Sequence, residues 1–102
     1  MDFKVSVVSD PPQSFVTLQG ELDLVTSHSV SARLYDEIEA GCRRLLIDLN
    51  DVTFVDASAL TMFTQTHRAL EDRAGTMEFV ACPPMFLQLC RATGLVELFG
   101  LG

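Results

Sequence analysis

The stretch Arg44-Leu45-Leu46-Ile47-Asp48-Leu49-Asn50-Asp51-Val52-Thr53-Phe54-Val55-Asp56-Ala57-Ser58-Ala59-Leu60 holds two patterns in succession. Its first six residues are nearly continuous apolar sequence, as expected of a central strand covered on both faces, whereas a strand with one wet face alternates. Beyond Asp56 the period changes. Leu60, Phe63, His67 and Leu70 recur three and four apart, which predicts an amphipathic helix ending near Ala74-Gly75. A buried strand that empties directly into a helix is half of a parallel β-α-β unit, so the reading of this stretch is an α/β fold.

Working outward supports it. Phe3-Lys4-Val5-Ser6-Val7 alternates, Asp10-Pro11-Pro12-Gln13 is turn chemistry, and Phe15-Val16-Thr17-Leu18 resumes the extended pattern, which predicts a hairpin. Gly20-Glu21-Leu22-Asp23-Leu24 leads to Thr26-Ser27, good capping residues. Val30, Leu34 and Ile38 then follow at fourfold spacing to a stop at Gly41. Downstream, Met77-Glu78-Phe79-Val80-Ala81 reads as a strand. Pro83-Pro84 opens a helix whose buried face is Phe86, Leu87, Leu89 and Cys90, ending at Gly94, and a short turn holds Leu95, Leu98 and Phe99. The expected architecture is one domain over residues 1–102, a mixed, mostly parallel sheet of about four strands packed with three to four helices.

Composition narrows the function. Apolar residues make up 48% of the 102, enough for one core. The 14 acidic against 7 basic side chains give a formal charge of -7, which makes nucleic acid and anionic membrane poor partners. Cys42, Cys82 and Cys90 form neither a C-x-x-C pair nor a zinc spacing, and their odd number fits no closed disulfide framework. With no signal-peptide stretch and no transmembrane run, the expected location is the cytoplasm. Cys82 and Cys90 offer a redox switch as one reading, with burial as small hydrophobes the commoner role of isolated cysteines.

The chemistry concentrates at the strand-to-helix junction, where α/β sheets usually meet their ligands and partners. Ser58 at the helix start suits a cap. The same place also tolerates a phosphate, because a helix N-terminus presents free amides and a positive dipole end. An added phosphate brings about -1.5 to -2 charges next to Asp56 and Asp23, which a docked partner would feel.

The runs Gly20-Glu21-Leu22-Asp23, Leu45-Leu46-Ile47-Asp48-Leu49, Val52-Thr53-Phe54-Val55-Asp56-Ala57-Ser58-Ala59-Leu60 and Ala92-Thr93-Gly94-Leu95-Val96-Glu97-Leu98-Phe99 together resemble bacterial anti-sigma factor antagonists of the STAS family. The resemblance implies a STAS-like α/β domain that binds an anti-sigma factor, usually also a serine kinase, and so frees a sigma factor. It puts Ser58 at the serine whose phosphorylation turns this off. It implies a partner surface over Asp23, Thr26, Ser27, Asp56, Ala57, Ser58, Ala59, Leu60 and Thr61. The family usually has a small polar residue where this chain has Ala57, and glycine where it has Ala59 and Thr61. The added methyl groups are expected to crowd a kinase approaching Ser58.

No cofactor, metal or catalytic residue is expected. A Ser/His/Asp hydrolase built on Ser58 is disfavoured because His67 lies more than two turns along the same helix and no G-x-S-x-G elbow is present. His67 is read as a half-buried packing residue and His28 as a solvated one. Asp48, Asp51 and Asp56 do not match a calcium loop. The rival within the same fold is a STAS subunit regulating a transporter or a stress-signalling complex. A monomer or a weak homodimer through the exposed hairpin edge is expected.

Overall fold

The structure, a computed structural model, describes residues 2–102. Strand β1 (Lys4–Asp10) pairs antiparallel with β2 (Gln13–Leu22), with Asp10 opposite Gln13 and Lys4 opposite Gln19, so Pro11 and Pro12 alone form the turn. Prolines lack an N–H to pair. The Pro12 carbonyl nevertheless accepts from the N–H groups of Arg43 and Arg44 at 2.7 and 2.9 Å, which ties the hairpin to the start of the third strand.

Helix α1 (Leu24–Glu39), strand β3 (Arg44–Val55), helix α2 (Ala57–Glu71), strand β4 (Thr76–Ala81) and helix α3 (Pro84–Thr93) follow. The sheet order is β1-β2-β3-β4, with β2, β3 and β4 parallel. The mixed, mostly parallel sheet with three helices is the expected architecture. A turn over residues 96–100 follows α3, and in it the Phe99 N–H donates to the Leu95 carbonyl at 3.0 Å.

The strand order corrects one expectation. Right-handed crossovers between strands added successively in one direction place their helices on the same face. Only that face is covered. Buried Val16, Leu18, Leu45, Ile47 and Met77 look toward the helices, while Phe15, Thr17, Arg44, Asp48 and Glu78 alternate with them and stay at least partly exposed. Leu46, read as buried beneath a second layer, is only half-buried. It stands opposite Phe15, which in turn is linked through the hairpin to exposed Val8, and together they form an apolar stripe across three strands. The continuous apolar run thus reflects a stripe on the open face, and not cover on both sides.

On the helix side, Val30, Leu34 and Ile38 of α1 are fully buried, as their spacing predicts. Phe63 of α2 meets Phe79 of β4 edge-on at 5.0 Å and Phe86 of α3 at 6.0 Å, and Phe79 also reaches Phe99 at 5.2 Å. Such pairs add to the area they bury. They fix α2 and α3 at the β4 side of the sheet and so set how the start of α2 is presented. Among the described residues no helix is long and apolar enough to cross a membrane.

Candidate functional site

Because β2 and β3 are parallel neighbours, their C-terminal ends coincide, with Leu22 opposite Val55. The residues immediately after them, Asp23 and Asp56, both have extended backbone and both cap helices. Sequence reasoning gave these caps to Thr26-Ser27 and to Ser58; the structure makes Asp23 and Asp56 the N-caps, with Thr26 completing a capping box at α1 and Ser58 only held by the cap at α2. A short carboxylate at the residue just before each helix, three residues before Thr26 and two before Ser58, reaches the free N–H groups of the first turn, which a hydroxyl already inside the helix cannot do.

At α1 the cap is reciprocal. Asp23 Oδ1 accepts from the Thr26 N–H at 3.0 Å, and the Thr26 hydroxyl accepts from the Asp23 N–H at 2.9 Å while lying 2.7 Å from the Glu21 carbonyl. The hydrogen bond from the Thr26 N–H, and then the Thr26 hydroxyl, hold the Asp23 carboxyl below its ordinary pKa. At α2 the arrangement differs. Asp56 Oδ1 accepts the Ser58 N–H at 2.9 Å, and the Ser58 hydroxyl donates to that same oxygen. Ser58 is half-buried and held by one carboxylate through two bonds.

Ser58 also lines a groove of about 310 Å³ between α1 and α2, together with Leu24, Ser27, His28, Thr61 and Met62. A second groove of about 320 Å³, on the α3 side of α2, is lined by Ala57, Leu60, Thr61, Arg68, Thr93 and Leu95 among others. Thr61 and Gln65 border both, so the outer face of α2 is a ridge between two depressions. Three large apolar side chains near this end of the sheet are exposed: Leu24 at 72%, Val25 at 74% and Phe54 at 46%. Sequence reasoning did not single them out. The signal was available for Val25, which falls on the helix face opposite Val30, Leu34 and Ile38; Leu24 falls at the edge of that stripe and is exposed as the first residue of the helix.

The expected partner surface divides. Ala57 and Thr61 are exposed, and Asp23, Thr26, Asp56 and Ser58 are half-buried and gathered at the two helix starts. Ser27 is buried, with a hydroxyl that finds no hydrogen-bond partner. Ala59 is fully buried and Leu60 nearly so, so their side chains serve the core. The Ala59 methyl therefore does not crowd an approach to Ser58, contrary to expectation.

His67 lies nine residues along the helix from Ser58, about 13 Å at the helical rise, and sits 3.6 Å from Glu71. A Ser/His/Asp triad is not assembled. His28 is exposed. Among the described residues no three His, Cys, Asp or Glu side chains come together to hold a metal. All three cysteines are free, and burial pushes the Cys82 and Cys90 thiols up to about 11, which keeps them protonated and poorly reactive.

Two parallel strand ends, two capped helices and a serine tied to the second cap make up the site. The STAS domain pattern matches residues 4–102, almost the whole chain. This chain belongs to the STAS domain family. A relative of this STAS domain is the anti-sigma-B factor antagonist of Bacillus subtilis (strain 168), 24% identical over 101 residues that span 99% of this chain and 92% of that one. A crystal structure of an anti-sigma factor antagonist from Mycobacterium paratuberculosis superposes with a TM-score of 0.84 at 24% identity, covering 96% of this chain and 83% of that one. The Bacillus cell fate determinant SpoIIAA, in its phosphorylated form, gives a TM-score of 0.75 at 18% identity over 94% and 86% of the two chains. At these identities the solved structures speak for a shared fold.

Proposed function

We propose that this STAS domain is an anti-sigma factor antagonist: it binds an anti-sigma factor that is also a serine kinase, releases a sigma factor for transcription, and is switched off by phosphorylation of Ser58. The observation that carries the reading is the placement of Ser58. Its hydroxyl lies in the first turn of α2, on the wall of a groove bordered by exposed Leu24, and is bonded to Asp56. A phosphate there sits at the positive end of the α2 dipole, so the fold can carry it. It also adds about -1.5 to -2 charges beside Asp56 and Asp23, so an apolar partner seated over Leu24 and Val25 meets the cost of desolvating them, and any acidic group it carries there is repelled. The relatives named as anti-sigma factor antagonists support the same reading.

The domain acts in the cytoplasm, as a monomer or weak homodimer, through protein contacts and without a cofactor. The test is capture from native lysate by wild type, Ser58→Ala and Ser58→Glu. Wild type and Ser58→Ala are expected to retain an anti-sigma kinase that Ser58→Glu loses. Equal retention by Ser58→Glu defeats the switch, and capture of a membrane-transporter component instead moves the domain to the transporter role.

A further inference from the structure

We infer that Asp56 is the base for its own chain's modification: it takes the Ser58 hydroxyl proton as the phosphoryl group arrives. The inference rests on the reading of Ser58 as the phosphorylated residue. Protein kinases commonly supply an aspartate that accepts the substrate's hydroxyl proton. Here the substrate already holds one in position. The Ser58 hydroxyl donates to Asp56 Oδ1, and the Ser58 N–H donates to the same oxygen at 2.9 Å, so the carboxylate is locked against the hydroxyl by the cap itself. With its hydrogen committed to Asp56, the Ser58 oxygen has its lone pairs free for an incoming electrophile.

The other candidate bases do not match this. Asp23 spends its carboxylate on Thr26. His28 borders the same groove but makes no hydrogen bond to Ser58, and His67 faces Glu71. The step balances with a nucleoside triphosphate as donor. The Ser58 Oγ–P bond forms, the bond from the γ-phosphorus to the β-γ bridging oxygen breaks, the nucleoside diphosphate leaves with that electron pair, and the hydroxyl proton passes to Asp56 Oδ1. Protonated Asp56 is neutral at the moment a highly charged phosphate forms beside it, so two anions are not forced together during transfer. Once the proton is lost to water the two repel.

The test uses the kinase captured by the wild-type chain, magnesium ATP labelled at the γ-phosphate, and two variants that keep a helix-capping side chain but lose the carboxylate, Asp56→Asn and Asp56→Ser. Both are expected to lower kcat for labelling of Ser58 about tenfold or more, a larger change than any in KM for the STAS domain. An unchanged kcat, or a loss confined to KM, overturns the inference and leaves the phosphorylation reading standing. No label on wild-type Ser58, or no kinase captured at all, overturns the phosphorylation reading and this inference with it. Thermal midpoints close to wild type for either variant show that the loss is not one of folding.

Discussion

The backbone N–H of Asp56 donates to the carbonyl of Leu22 at 3.3 Å. That bond stitches the end of β3 to the end of β2 and brings two helix starts side by side. Each helix start leaves free N–H groups that need an acceptor. Asp23 and Asp56 supply one each, and the first turns they cap carry Thr26, Ser58 and exposed Leu24 and Val25. Capping and the proposed recognition therefore share the same few residues.

If Asp56 is the cap, its removal has a defined cost. Asp56→Ala is expected to destabilise the domain by about 1 kcal/mol, and Asp56→Asn by a few tenths, because asparagine also accepts from a first-turn amide. For a chain of this size 1 kcal/mol lowers the thermal midpoint by roughly 4–8 °C. Urea or thermal unfolding followed by circular dichroism measures both. Equal midpoints for the alanine and asparagine variants would remove Asp56 from this role.

Leu24 and Val25 contribute surface and little core. The double change Leu24→Ser, Val25→Ser is expected to shift stability by no more than about 0.5 kcal/mol per site. It is also expected to weaken capture of the proposed partner strongly, since exposed apolar side chains next to Ser58 are natural anchors. Parallel unfolding and pull-down experiments separate the two effects. Full retention of the partner would place its contact elsewhere.

The turn after α2 holds its residues in a less favourable order than their chemistry suggests. Ala74 has φ 57, the left-handed conformation that glycine adopts without cost, whereas Gly75 does not need it. Gly75 is small for another reason: a Cβ there would lie 2.8 Å from the Arg43 carbonyl and 3.0 Å from Leu70 Cδ2. Ala74→Gly is therefore expected to stabilise by roughly 0.5–1 kcal/mol. Gly75→Ala should destabilise by about 1–3 kcal/mol, since the nearest obstacle is backbone that pairs with Thr76 at 2.8 Å. Denaturant midpoints of the two variants should move in opposite directions.

Glu37 of α1 accepts hydroxyl hydrogen bonds from Ser9 of β1 and, at 2.7 Å, from Ser14 of β2, clamping the hairpin to the helix. The Ser9 bond first, and then that of Ser14, lower the Glu37 pKa below its ordinary 4.5. The folded state thus binds its proton less readily than the unfolded chain. The resulting stability is present above the unfolded value and is lost as pH falls through the depressed folded one. Thermal midpoints measured from pH 6 downward, a range of about three units, should fall more steeply in wild type than in Glu37→Gln below the ordinary 4.5. Parallel curves would show that the clamp carries no proton linkage.

Much of this was legible in the chain itself. The stripe Val30, Leu34, Ile38 identified α1, the run Leu45 to Leu49 identified the central strand, and the change of period after Asp56 placed Ser58 at a strand-to-helix junction. Periodicity is a local property, set by how often a side chain returns to the same face, so the sequence alone determined the elements, their order and the family pattern. Which sheet face is covered depends on the order in which strands are laid down. Leu46 could be read as doubly buried until β2, β3 and β4 proved to advance in one direction, leaving it on the open side. The choice among Asp23, Thr26, Asp56 and Ser58 as caps rests on the backbone conformation at each helix start and on which oxygen reaches which amide. The burial of Ala59 and Leu60, and the exposure of Leu24 and Val25, depend on how α1 and α2 pack on the sheet. Only the tertiary structure decided these, because each turns on a contact between segments far apart in the chain or on a rotamer, and neither leaves a period in the sequence.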